Sequence, residues 1–224
     1  MGLRLAFVGL LLAPTLAVAQ MAPTERTQRV LIVGDSHVER LGPMLEGVVE
    51  DAGFSALGSL SHRGWSTARF VREAQLSEEI RAFGQPDVVI VALGGNDRPQ
   101  SIEAYRQALS WVVGQARSTG AERIVWLGPT QTDARRSERA RRTGIRHERN
   151  ADWQREILPA LGVSWIDSAP VTRRHHARDG VHYTARGYRG WALAAFEAGH
   201  LLQVTRPQVV PPIRLGLGLS SPSD

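Results

Sequence analysis

Five short runs rich in valine, isoleucine and leucine recur along the chain, each separated from the next by a segment whose apolar residues have helical spacing. This alternation constrains the fold more than any other feature. The runs are residues 29–33 (RVLIV), 54–60 (FSALGSL), 87–93 (DVVIVAL), 123–127 (RIVWL) and 163–167 (VSWID). The helical segments are 38–52, 68–83, 102–118 and 147–161, with 185–202 as a last one. Continuous apolar strands of this length suit a parallel sheet buried on both faces, with helices as crossovers. The expected architecture is an α/β fold, a three-layer α/β/α sandwich around a five-stranded parallel sheet. Ligands of such sheets bind beyond the carboxyl ends of the strands, so the residues just after each run are the place to look for chemistry.

The ends of the chain read differently from this body. Arg4, an apolar stretch over 5–18 broken by Pro14, and Ala17-Val18-Ala19 before Gln20 together read as an export signal over residues 1–19. A membrane anchor is the weaker alternative, because a spanning helix needs roughly 18 to 20 apolar residues. The expected organisation is signal peptide 1–19, polar linker 20–28, a single α/β domain 29–204 and a flexible proline-, serine- and glycine-rich tail over 205–224, in a secreted or periplasmic protein. The absence of cysteine excludes thiol nucleophiles, thiolate metal sites and acylated lipoproteins. A domain of this size can be stable by burial alone.

All 27 basic residues are arginine, and the formal net charge is +5. Arginines crowd two segments expected to be loops: 134–149, with seven arginines against two glutamates, and 173–178 (RRHHAR). Either could be a solvated face partly paired with acids, or a rim that attracts an anionic substrate. Neither interleaves aromatic residues with its arginines, which argues against a nucleic-acid partner.

Four polar blocks follow the strands. The first run ends in Gly34-Asp35-Ser36-His37, and the second leads into Ser61-His62-Arg63-Gly64-Trp65-Ser66-Thr67. The third ends in Gly94-Gly95-Asn96-Asp97, and the fifth is followed by Asp179-Gly180-Val181-His182. Taken singly, each has a plain structural reading. Ser36 could be a helix N-cap, Asn96 with its glycines a turn, His182 a structural histidine. Taken together and in this order, they resemble the SGNH hydrolase family of GDSL-type esterases and lipases, whose name lists a serine, a glycine, an asparagine and a histidine from four separate blocks. Here these are Ser36, Gly64, Asn96 and His182.

The resemblance implies a flavodoxin-like sheet and a catalytic set of Ser36, Asp179 and His182. A serine hydroxyl needs a base to take its proton, a role for His182, and Asp179 would fix the imidazole tautomer. The implied oxyanion hole comprises the backbone N–H groups of Ser36 and Gly64 and the side-chain amide of Asn96. No metal or organic cofactor is implied. Where the family signature has leucine, this chain has His37, which bears on substrate preference. His37, Trp65 and Arg178 are candidate substrate-binding residues, although Trp65 could equally pack into the core and His37 or His62 lie on the surface. Asp35 and Asp97 are expected to hold their loops by hydrogen bonds. Gly58 is a rival to Gly64 as donor. His175, His176, Asp179 and His182 can be sketched as a metal site, but a histidine pair in an arginine-rich loop reads more simply as solvated.

The expected function is that of an exported serine ester hydrolase removing small acyl groups such as acetyl from a carbohydrate or related ester, anionic or neutral, without stable membrane insertion. A lipase, lysophospholipase or thioesterase of the same chemistry, transfer of the acyl group to a sugar hydroxyl, and a non-catalytic glycan-binding protein stay open as alternatives.

Overall fold

A computed structural model describes residues 26–198. The proposed signal peptide, most of the linker and the C-terminal tail lie outside the described residues. The sheet has five parallel strands: β1 (Arg29–Gly34), β2 (Ser55–Ser61), β3 (Val88–Ala92), β4 (Arg123–Leu127) and β5 (Ser164–Ile166), in the order β2-β1-β3-β4-β5. Strand order reverses direction between β1 and β3, so a crevice opens beyond their carboxyl ends.

Alternation along each strand supplies both layers of core. Val30 and Ile32 of β1, Val88 and Ile90 of β3, and Val125 and Leu127 of β4 face α1 (Val38–Asp51) and the C-terminal helix Ala185–Ala198. Leu31, Val33, Val89, Val91 and Trp126 face the other layer. That layer holds α2 (Thr67–Glu73), α3 (Leu76–Ala82), α4 (Ile102–Arg117) and α5 (Glu138–Ala160), which makes the C-terminal helix α6. Such strands read as unbroken apolar runs because both faces are covered.

Two helices depart from the sequence reading. The segment 68–83 is broken into α2 and α3 by Ala74 and Gln75, whose ψ angles are 141° and 59°. At about 100° per residue, Phe70 and Leu76 would lie some 120° apart on one continuous helix. The break rephases the chain so that Phe70, Leu76 and Ile80 are all buried against the sheet. The second correction concerns the arginine-rich segment 134–149, which is a loop only over its first residues. Helix α5 begins at Glu138, nine residues before the expected start, with the Ser137 hydroxyl accepting from the Ala140 N–H at 3.0 Å. Glu138 then pairs with Arg141 and Arg142 at 2.7 Å each, offsetting arginine repulsion within the first turns.

Candidate active site

The first block is shaped by a backbone contact that only glycine permits. A Cβ on Gly34 would overlap the Ala92 carbonyl oxygen and lie 2.5 Å from a Val38 methyl, so β1 and β3 can approach closely at their ends. The chain then turns through Asp35 and Ser36 before α1. Ser36 does not cap that helix. The N-cap position is His37, with no side-chain cap, and the His37 N–H is held instead by Asp35 Oδ1 at 3.0 Å. The Ser36 hydroxyl is thereby left to another partner, His182 Nε2, at 3.0 Å.

His182 is fixed from the opposite side. Its Nδ1 lies 2.6 Å from Asp179 Oδ2, while Asp179 Oδ1 accepts the backbone N–H groups of Val181 and His182, both at 3.0 Å. Gly180 makes this short loop possible. It has φ +71°, and a Cβ there would come within 2.8 Å of the Asp133 carbonyl oxygen. Partial burial pushes the Asp179 carboxyl up, but the bond from His182 and the two backbone N–H groups outweigh it and bring the pKa down to about 2. The group is a carboxylate at any ordinary pH. A serine from the first block and an imidazole and a carboxylate from the fourth therefore stand in one hydrogen-bonded line.

Asn96 arrives from the loop after β3. Its Nδ2 donates to Asp35 Oδ2 at 2.9 Å and to the Trp65 carbonyl at 3.2 Å. Both amide hydrogens are thus engaged in the free protein, and stabilising an oxyanion requires the longer bond to be shared or given up. Asp35 links the first and third blocks, as expected of a loop-holding residue. It is buried, and desolvation, more than the opposing bonds from His37 and Asn96, raises its pKa to about 7. Asp97 does the same for the second and third blocks, accepting the Thr67 N–H at 2.5 Å, the Thr67 hydroxyl at 2.6 Å and the Tyr105 hydroxyl at 2.7 Å. Burial raises its pKa as well.

Gly64 lines the same cleft in a left-handed conformation, φ +72°, with open space where a Cβ would point. Gly58 does not; it sits inside β2 against Phe83. Of the two readings left open for Trp65, pocket wall or inward packing, the structure shows the second. Trp65 is absent from the cleft lining, stacks on His62 with ring centres 4.0 Å apart, and meets Phe70 edge-on. What it offers the site is its carbonyl oxygen. His62 is drawn away to Glu79 at 2.6 Å. His37 does reach the cleft, yet it is no surface residue: it is 7% exposed, bonded through Nδ1 to the Tyr188 hydroxyl at 3.1 Å, with its ring centre 5.0 Å from that of His182. Burial holds it well below the usual histidine pKa, in the neutral form. Arg178 lies at the cleft edge. Among the described residues no group of three or more histidines and carboxylates is arranged to hold a metal ion, and His176 Nε2 lies 3.1 Å from the Gln131 carbonyl instead.

The sequence reading passed over the face of α5 that carries the Asn96 loop. Asn150 donates to the carbonyls of Gly94 and Asp97 at 2.8 and 3.0 Å, and Gln154 to that of Leu93 at 3.0 Å. Arg146 Nε donates to Gly95 O at 3.2 Å, and His147 Nε2 lies 3.1 Å from the same oxygen. The available signal was polar residues at positions 147, 150 and 154, three and four apart, on a face the apolar pattern assigns to the core.

The cleft over these residues has a volume of about 1170 Å³. Fold and site together define an α/β protein whose strand-end loops converge on a serine–histidine–carboxylate line. The chain belongs to the GDSL-like lipase/acylhydrolase family, whose sequence profile matches residues 32–189. No curated protein sequence matches it. Among solved structures it is similar to a lipase/acylhydrolase from Enterococcus faecalis, with 19% identity and TM-score 0.58 over 76% of this chain and 95% of that one. It is also similar to a carbohydrate acetylesterase family member from Sinorhizobium meliloti, with 16% identity and TM-score 0.62 over 78% and 98%. A third is a mutant of an acetyl-xylooligosaccharide esterase from Geobacillus, with 17% identity and TM-score 0.57 over 76% and 93%. At these identities the likeness is one of fold.

Proposed function

We propose that the chain is an exported serine ester hydrolase that removes small acyl groups, acetyl foremost, from a carbohydrate. The observation that carries this reading is the Ser36 Oγ to His182 Nε2 bond of 3.0 Å, continued by His182 Nδ1 to Asp179 at 2.6 Å. In the proposed reaction His182 takes the Ser36 proton as Oγ attacks the ester carbonyl, and the carbonyl oxygen becomes an oxyanion. The Asn96 amide and the backbone N–H groups of Ser36 and Gly64 receive that charge; removing one such donor from an acyl-transfer site typically costs about 3 to 4 kcal/mol of barrier. The tetrahedral centre collapses, the C–O bond to the alcohol breaks, and imidazolium returns its proton to the departing alkoxide. Water, deprotonated by His182, then cleaves the acyl-serine to free acid and regenerates the hydroxyl.

A small acyl group is supported by the cleft lining, in which, among the described residues, only Ala177 and Val181 are aliphatic and offer little apolar surface to a long chain. The carbohydrate acetylesterases among the similar folds agree with it. Export is supported by the composition of residues 1–19. The test is turnover of p-nitrophenyl esters of two to eight acyl carbons, with acetate release from acetylated polysaccharides, by wild type and Ser36→Ala. The proposal expects activity that falls steeply beyond butyrate and vanishes with Ser36→Ala. A rise toward octanoate, or equal activity in the variant, overturns it.

A further inference from the structure

The cleft lining is strongly cationic. Eight arginines line it against four carboxylates, and two of those carboxylates, Asp35 and Asp179, are engaged inside the site. Some of the charge is matched locally: Arg63 pairs with Glu39 at 2.6 Å, Arg142 with Glu138 at 2.7 Å and Arg136 with Asp133 at 3.4 Å. The other five, Arg40 and Arg178 among them, have no such pairing among the described residues. Arg98, Arg139 and Arg146 line the cleft, and among the described residues none has a carboxylate within ion-pair distance.

These three converge from two directions. Arg98 follows Asn96 by two residues on the loop after β3, whereas Arg139 and Arg146 stand two turns apart on α5, about 10 Å along its axis. Arg146 is half-buried and bound to the Gly95 carbonyl and, at 3.2 Å, to the Thr143 hydroxyl, so its charge is fixed beside the Asn96 loop. Burial, then the neighbouring Arg98 and Arg149 cations, disfavours the charge on Arg146, with Asp97 opposing them in part. A merely solvated face would interleave carboxylates here. Glu138 also lines the cleft, but its carboxylate is taken up by Arg141 and Arg142. Cations without an ion-pair partner that repel one another beside a reacting centre are stabilised when an anion enters between them.

We propose that the ester is borne on an acidic polysaccharide, with Arg98, Arg139 and Arg146 holding successive anionic groups of the polymer while the acyl group is presented to Ser36. This rests on the esterase reading above. The separation of the arginines suits more than one anionic group, and hence an oligomer. The scarcity of aliphatic side chains in the cleft gives an anionic lipid no place for its chains.

The test has two arms. In the first, Ser36→Ala protein is titrated with de-esterified polygalacturonate, neutral xylan and vesicles of anionic phospholipid, which reports on the cation site without turnover. Polygalacturonate should bind, its affinity should fall steeply with added sodium chloride, and Arg98→Gln/Arg139→Gln in the same background should weaken it about tenfold, as expected for losing two solvent-accessible charge pairs. Binding of xylan with equal affinity, or of vesicles alone, overturns the proposal. In the second arm, acetate release from acetylated polygalacturonate and acetylated xylan is compared in otherwise wild-type protein. The ratio of kcat/KM values, acidic over neutral, should drop about tenfold in the double variant; an unchanged ratio overturns the proposal. Polygalacturonate binding without turnover of any ester would refute the esterase reading and leave the cation site standing.

Discussion

Replacing Asp179 by asparagine should damage the site more than replacing it by alanine. In the native loop one carboxylate oxygen faces His182 Nδ1 at 2.6 Å and the other accepts two backbone N–H groups at 3.0 Å. An asparagine has one acceptor and one donor end, and must choose. Turning its NH₂ toward the backbone sets donor against donor and leaves two N–H groups unsatisfied, at about 1 to 3 kcal/mol each when buried. Asp179 is 41% exposed at its side chain, so water relieves part of this penalty, and a bias of about 1 to 3 kcal/mol remains. The amide should therefore give its oxygen to the backbone and its NH₂ to Nδ1. That forces the proton onto Nε2, pointing it at Ser36 Oγ, which is the wrong tautomer for a base. A loss of about 10³- to 10⁴-fold in kcat follows, with KM nearly unchanged. Alanine leaves the tautomer free, so Asp179→Ala should retain several-fold more activity than Asp179→Asn at the same pH. Steady-state hydrolysis of p-nitrophenyl acetate, supported by ¹⁵N chemical shifts of the His182 ring, measures both. If the asparagine variant is the more active, or its ring keeps the proton on Nδ1, the reasoning is refuted.

Three further outcomes are expected. Gly34→Ala, whose methyl would overlap the Ala92 carbonyl and approach Val38 at 2.5 Å, should destabilise the fold by about 1 to 3 kcal/mol in urea unfolding, whereas Gly64→Ala, with open space at its Cβ, should cost only the strain of its left-handed φ, about 1 kcal/mol; similar losses for both would contradict the packing argument. Asp35→Asn can accept only one of the two bonds, from His37 N–H and Asn96 Nδ2, that the carboxylate accepts now, so kcat should fall about 10- to 100-fold while KM for a small ester changes little. Because burial raises the folded pKa of Asp35 from 3.8 to about 7, the native state binds the extra proton between those values. Stability relative to Asp35→Asn should accordingly decline as pH rises from about 4 to 7 and level off above, measured by urea unfolding across that range; a rise with pH would refute the assignment.

The strand runs and the four polar blocks were legible because each follows from local chemistry. Doubly covered parallel strands must be continuously apolar, and the turns beyond them need glycine beside the reactive side chain. Misreadings arose where tertiary contacts decide. Ala74 and Gln75 break a helix that periodicity alone continues, since Leu76 must be rephased toward the sheet. The segment 138–146 has little apolar periodicity, yet Ser137, Glu138 and the buried Ala140 and Thr143 make it helical. Trp65 adjoins Gly64 in sequence, but a reversal of direction at that glycine puts the indole on His62 and Phe70 rather than in the cleft. The polar residues at 147, 150 and 154 mark a buried face of α5, but that this face holds the Asn96 loop depends on packing against the end of β3, which their spacing does not specify.

The account stands on Ser36 being a hydroxyl activated by His182, and covalent capture tests that most directly. Wild-type protein treated with a fluorophosphonate should gain the mass of one adduct, mapped by peptide fragmentation to Ser36, with labelling absent from Ser36→Ala and slowed by at least about 10²-fold in His182→Ala. An adduct on another residue, or a Ser36→Ala variant that hydrolyses p-nitrophenyl acetate as fast as the wild type, would contradict it.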